Sequence, residues 1–219
     1  MIDFEAARHN MVESQIRTNK VRDLRIVDAM DSLPRELFAP ENRRGVAYID
    51  EDLPIGNGRY MIEPMVLARL VQAAEIKPGD LVLDLACASG YCAALLTILG
   101  ATVVAVEPDA DLIAMGTEAL NEAGIENVVM LKGDPKVGYE KQAPYNVILL
   151  PGAVAEVPAA LFDQLADGGR LVTVVRTDQN SVGAATLYRR SGKAISSRVL
   201  FDASTPLLPG FERQPGFVF

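Results

Sequence analysis

Hydrophobic positions along this chain change their spacing twice. From Phe4 to Asp31 they recur at helical intervals: Phe4, Ala7, Met11 and Ile16 roughly share one face, and Leu24, Val27 and Met30 share another. The pattern predicts two amphipathic helices, broken at Thr18-Asn19 and ended by Pro34, that serve as a lid or an oligomer contact. Between Pro40 and Pro64 the pattern is irregular. An acidic trio, Asp50-Glu51-Asp52, precedes the run Leu53-Pro54-Ile55-Gly56-Asn57-Gly58. The trio reads as solvated loop and not as a metal site, because ligation of Mg²⁺ or Ca²⁺ usually alternates its carboxylates. Pro64 suits the first turn of a helix running from Met65 to Ala74.

Beyond the turn Lys77-Pro78-Gly79-Asp80 the apolar positions gather into short unbroken runs. Strands are expected over 81–85, 102–107, 128–132, 145–150 and 170–175, with helices over 92–99, 109–121 and 158–165 between them. Unbroken apolar strands suit a parallel sheet covered on both faces. Their alternation with helices of this length predicts a doubly wound α/β fold. Two weaker strands, 186–190 and 198–201, and an apolar tail complete the chain.

Composition narrows the class. The 219 residues suffice for one domain, or one with an appendage, and 49% hydrophobic residues can bury a large core. The formal charge of −8, with no basic run interleaved with aromatics, argues against a nucleic-acid partner. No apolar run approaches membrane-spanning length, and the first residues lack the pattern of a signal peptide. Cys87 and Cys92 lie too close to staple a fold, and one histidine, His9, completes no metal set. His9 reads as a surface or capping residue. A cytoplasmic protein without metal is expected.

In such sheets ligands sit beyond the carboxyl ends of the strands, where strand order reverses. The stretch Leu81 to Tyr91 organises that end: a strand, a turn of small residues, and a helix start that presents backbone N–H groups. Glu107, followed by Pro108, ends the second strand, where a carboxylate can accept both hydroxyls of a ribose. Alternatively it is a charge beside a helix N-terminus, with Asp109 favouring the dipole. Asp134, followed by Pro135, could accept from an adenine amino group. The loop Ala86-Cys87-Ala88-Ser89-Gly90-Tyr91 holds one glycine, which disfavours a dinucleotide cofactor and its G-x-G-x-x-G turn. S-adenosylmethionine carries no phosphate, and Asp84 with the loop backbone could hold its amino-acid part.

These residues, in this order, resemble the protein-L-isoaspartate O-methyltransferase family. Leu53-Pro54-Ile55-Gly56-Asn57-Gly58, Pro64 and Ala68-Arg69 look like its block before the cofactor domain. Val82-Leu83-Asp84-Leu85-Ala86-Cys87-Ala88-Ser89-Gly90-Tyr91 resembles its V-L-E-I-G-T-G-S-G-Y. Val106-Glu107, Gly133-Asp134, Tyr145-Asn146-Val147-Ile148 and Gly168-Gly169-Arg170-Leu171-Val172 match later blocks. The resemblance implies a class I, Rossmann-like methyltransferase fold, with residues 1–64 as a helical section and acceptor-side loop and 65–219 as the α/β unit. It implies S-adenosylmethionine as donor, S-adenosylhomocysteine as product, and the carboxylate of an isoaspartyl residue in damaged protein as acceptor. A carboxylate on a small molecule is the other acceptor class. The cofactor contacts would be Asp84, Ala86, Cys87, Ala88, Ser89, Gly90, Tyr91, Glu107, Pro108, Asp134 and Pro135. A non-catalytic binding or assembly module on the same fold is the alternative.

Several positions depart from the family. Its acceptor-side motif G-x-G-Q-T-I-S-Q-P reads here Gly56-Asn57-Gly58-Arg59-Tyr60-Met61-Ile62-Glu63-Pro64, so the threonine and serine positions hold Tyr60 and Ile62. Arg59, Tyr60 and Glu63 are candidate acceptor contacts. Arg59 could grip a carboxylate bidentately, but a surface arginine paired with Glu63 or the acids of 50–52 ranks ahead. Two family glycines are Ala86 and Ala88, which would be strained if those positions need positive φ. Pro135 removes a backbone donor, and Asn146 replaces an aspartate. The tail Leu207-Leu208-Pro209-Gly210-Phe211, with Phe217-Val218-Phe219, should pack on the domain near the acceptor cleft or in a subunit contact, since termini fray unless tied down.

Overall fold

Asp3 starts the chain's first helix by accepting a hydrogen bond from the Ala6 amide at 3.0 Å. The computed structural model describes residues 2–177 and 180–213. Helix α1 covers Phe4–Met11 and passes through a π turn (Val12–Ile16) and a 3-10 turn (Arg17–Asn19) before Lys20, in a left-handed conformation, stops it. Asp23 caps α2 (Leu24–Ser32) in the same way as Asp3 caps α1. Met11, Ile16, Val27 and Met30 are buried as the helical spacing predicts, whereas Leu24, in the first turn of α2, is 62% exposed. His9 lies at the surface, 3.4 Å from Asp31.

The irregular segment holds an element that the sequence pattern misses. Strands β1 (Leu53–Gly56) and β2 (Arg59–Met61) form a small antiparallel hairpin. Gly56, Asn57 and Gly58 all have positive φ at its tip, a turn that two glycines and an asparagine make accessible. Pro64 is the first residue of α3 (Pro64–Ala74), as expected.

The α/β section follows in order: β3 (Leu81–Leu85), α4 (Tyr91–Ile98), β4 (Thr102–Glu107), α5 (Ala110–Glu122), β5 (Val128–Lys132), β6 (Tyr145–Val154), α6 (Ala159–Asp163), β7 (Leu165–Val175), β8 (Gly183–Ser191) and β9 (Ala194–Ala203). Among the described residues, strands β3 to β9 form one sheet in the order β5-β4-β3-β6-β7-β8-β9. The first five are parallel, and β8 and β9 add antiparallel to β7. The doubly wound expectation is borne out. The boundaries of β6, β7, β8 and β9 reach beyond the predicted runs, because small and polar residues continue each ladder. Helix α6 is shorter than the predicted 158–165 because Leu165 already pairs with Tyr145 in the sheet.

Strand order reverses beside β3, between β4 on one side and β6 on the other. Alternation along these strands sorts two cores. Leu83, Leu85, Val104 and Val106 face one cluster with Tyr145, Leu208 and Phe211. Val82, Val103 and Ala105 face the other, which joins the N-terminal helices to α3 and α4. The same alternation turns Asp84 and Glu107 toward that second face, where both are completely buried.

Candidate functional site

The loop after β3 is wound by three left-handed residues: Ala86 at φ 54°, Ala88 at 53° and Gly90 at 83°. The strain anticipated for alanines in place of the family's glycines is therefore present, at about 1 kcal/mol each. Neighbours hold the loop in place. The Cys87 amide donates to the Val106 carbonyl at 3.3 Å, and the Gly90 amide to that of Cys87 at 2.9 Å. Gly90 then precedes α4, which starts at Tyr91, one residue earlier than the pattern suggests. Gly116 of α5 lets that helix reach the loop, since a Cβ there would stand 2.8 Å from the Ser89 carbonyl. In sequence it is one glycine within a helical pattern, and nothing marks it.

Buried polar side chains converge on this turn. Both carboxyl oxygens of Asp84 and the hydroxyl of Ser89 find no hydrogen-bond partner of normal geometry among the described residues. Burial pushes the Asp84 carboxyl up to about 8, with Glu107 adding to the effect and the Cys92 thiol and Arg59 opposing it. The shift favours the protonated carboxyl. Cys87 and Cys92 are buried free thiols whose pKa values are raised by the same desolvation.

Glu107 is fully engaged. Its Oε2 accepts from the Ala88 amide at 2.7 Å, and its Oε1 from the Asp109 amide at 3.3 Å and from Arg59 Nη1 at 2.5 Å. The second Arg59 amino group donates to the Ala86 carbonyl at 2.7 Å. The side chains of Arg59 and Glu107 are 5% and 0% exposed. One expectation is corrected here: Arg59 is not a surface residue paired with Glu63 or the acids of 50–52, but a buried partner of Glu107. The reason is tertiary: the β1–β2 hairpin carries Arg59 across the ends of β3 and β4. The hairpin tip is also tied there, with Asn57 Nδ2 donating to Asp109 at 2.6 Å.

Asp109 also caps α5 through the Asp111 and Leu112 amides, and Pro108 is exposed beside it. Asp134 is exposed and accepts from the Lys136 amide at 2.9 Å, and Pro135 behind it is buried. The Gly133 amide donates to the Glu107 carbonyl at 3.2 Å, which brings the ends of β4 and β5 together.

Beside the β1–β2 hairpin a small recess is lined by Arg35, Tyr60, Ile62, Ala88, Ser89 and Tyr91, among others. Ile62 is buried and Tyr60 half-buried. Arg35, absent from the sequence candidates, is 1% exposed. It donates to the carbonyls of Ala47 and Ile62 at 2.8 Å each and lies over the Tyr91 ring, 4.9 Å from its centroid. Between Leu33-Pro34 and Glu36-Leu37-Phe38 nothing in the sequence marks it, and only the fold turns it inward. Glu63 is half-buried at the start of α3, and burial beside Asp52 and Asp50 pushes its carboxyl up to about 7. Asp52 is not purely solvated loop: it accepts from the Glu63 amide at 3.0 Å.

The tail reaches this region. Leu208 donates to the Ala153 carbonyl at 2.8 Å and Ala153 to that of Pro206 at 3.1 Å, while Leu208 and Phe211 are buried. Leu207 and Pro209 line a groove together with Gly58 and Tyr60. The expected packing holds for Leu207 to Phe211; Phe217-Val218-Phe219 lie outside the described residues.

Comparison with known proteins agrees with the fold and the order of these blocks. A family model for protein-L-isoaspartate(D-aspartate) O-methyltransferase matches residues 6–202. Protein-L-isoaspartate O-methyltransferase 2 of Anaeromyxobacter sp. is 41% identical over 168 residues, covering 77% of this chain and 69% of that one. Protein-L-isoaspartate O-methyltransferase 1 of Rhodopseudomonas palustris is 36% identical over 209 residues, covering 95% and 85%. A solved protein-L-isoaspartate O-methyltransferase superposes with a TM-score of 0.80 at 24% identity, covering 94% of this chain and 67% of that one. A putative one from Plasmodium falciparum, in complex with S-adenosyl-L-homocysteine, gives 0.75 at 21%, covering 92% and 97%. Sequence and fold together place the chain in the protein-L-isoaspartate(D-aspartate) O-methyltransferase family.

Proposed function

We propose that this chain is an S-adenosylmethionine-dependent methyltransferase that esterifies a carboxylate on a protein, with an L-isoaspartyl residue as the first acceptor to test. The observation that carries the reading is the pair Asp84 and Ser89, buried polar side chains with no hydrogen-bond partner of normal geometry among the described residues, at the point where strand order reverses. Such groups suit a polar ligand that completes their hydrogen bonds. Asp84, Ser89 and the loop from Ala86 to Gly90 would hold the amino-acid end of the cofactor, and Glu107 its ribose once Arg59 is drawn aside. Pro108, Asp134, Pro135, Cys87 and Tyr91 complete the proposed lining.

Bound S-adenosylmethionine supplies a methyl group on a positively charged sulfur. The chain's own part is positioning and exclusion of water. A carboxylate acceptor is already ionised at neutral pH, so no general base is required. Holding the acceptor in line is the main contribution open to the protein. Tyr60, with Ile62 and Met61 beside it, stands at the recess where that acceptor would enter. Family membership favours the enzyme over the non-catalytic module.

Calorimetric titration with S-adenosylmethionine and S-adenosylhomocysteine tests the first half of this reading. Methylation of an isoaspartyl peptide against its aspartyl counterpart, followed by mass, tests the second. Saturable heat and a 14 Da gain on the isoaspartyl peptide alone are expected, from chemistry that exchanges one hydrogen for a methyl (about 14 Da). No heat at millimolar ligand would overturn it.

A further inference from the structure

The structure assigns to Arg59 the role of an internal occupant of the ribose carboxylate, so that Arg59 sets how tightly the cofactor is held. This rests on the reading of the site as a nucleoside site. Three observations support it. The Glu107 side chain is 0% exposed, and Arg59 occupies its Oε1. Arg59 meets the carboxylate through one amino group and the Ala86 carbonyl through the other, and so spans the loop and the end of β4. The side chain is delivered from outside the sheet by a hairpin whose tip is fastened to Asp109 through Asn57.

A ribose presents neutral hydroxyls, whereas Arg59 presents a charge-assisted pair in a buried place where such a pair is strong. The ligand must displace the stronger partner before it can use the weaker one. Apparent affinity falls by the fraction of molecules in which Arg59 has left. Where the family's motif has glutamine, this chain thus carries a competitor for the cofactor's own anchor.

Calorimetry with S-adenosylhomocysteine on the full chain and on Arg59→Gln tests the assignment, with Arg59→Lys and the double variant Arg59→Gln/Glu107→Gln as companions. Arg59→Gln is expected to bind at least tenfold tighter than the wild type. Arg59→Lys, which keeps a cation in reach of Glu107, should remain within about threefold of the wild type. Compared with Glu107→Gln alone, the double variant should show no gain, a result that general loosening of the hairpin would not produce. Should Arg59→Gln not fold, Arg59→Ala carries the same expectation. Equal affinity in wild type and Arg59→Gln overturns the assignment and leaves the methyltransferase reading in place. Binding by neither overturns both, because a released Glu107 would then hold no ribose.

Discussion

Burial at the end of β3 raises the pKa of the Asp84 carboxyl, and that has a measurable consequence. Its folded pKa of about 8 lies above the ordinary 3.8. Between those values the folded chain binds more protons than the unfolded one, so stability falls as pH rises through the interval. Glu63, pushed up to about 7, and Glu107, raised by desolvation, act in the same direction. Asp23 and Asp109 are lowered instead, so their effects lie at more acid pH. Denaturant unfolding should therefore show the wild type more stable at pH 5.5 than at pH 8. Asp84→Asn should narrow that gap, by up to about 1.4 kcal/mol for each pH unit over which Asp84 would have titrated. An unchanged gap would mean that Asp84 ionises normally.

Elements decide what such residues can reach. The hairpin β1–β2 is pinned to the loop after β3, and the tail to the end of β6, by contacts between segments far apart in sequence. Leu208 shows how closely the tail fits: a Cβ added to Gly152 would stand 2.5 Å from a Leu208 methyl. Leu208→Ala opens a space that β6 cannot easily close. It should cost about 2–5 kcal/mol, read as a lower denaturant midpoint with an unchanged slope. A cost below 0.5 kcal/mol would show that the tail lies on the domain without contributing to its core.

Across the whole molecule, the sheet grades from sealed centre to open edge. Strands β3 and β6 are covered on both faces, whereas residues 194–199 of β9 are exposed at one end of the sheet and Val129 of β5 is 62% exposed at the other. Local opening follows burial. Amide hydrogen exchange should therefore protect Val82 to Leu85 and Val147 to Leu149 longest, with β9 and the outer half of β5 exchanging earlier. Protection of β9 equal to that of β3 would point to a partner covering that edge. The fold was largely legible in advance because apolar runs of strand length alternate with helices, and burying both faces of a sheet leaves little other choice. The hairpin was not legible: Leu53 to Met61 is short, proline-bearing and glycine-rich, and its pairing is fixed by the surface it lands on.

The chain's own residues determined the parallel sheet, the proline start of α3 and the placing of Asp84 and Glu107 at strand ends. Each follows from local conformational preference or from alternation along a strand. Tertiary structure alone decided the partners. Arg59 to Glu107 and Arg35 to the Ile62 carbonyl are contacts between segments whose separation in sequence carries no periodic signal. A long cationic side chain has the same pattern in sequence whether it faces water or a buried carboxylate. Only the packing that removes the water settles which one it meets.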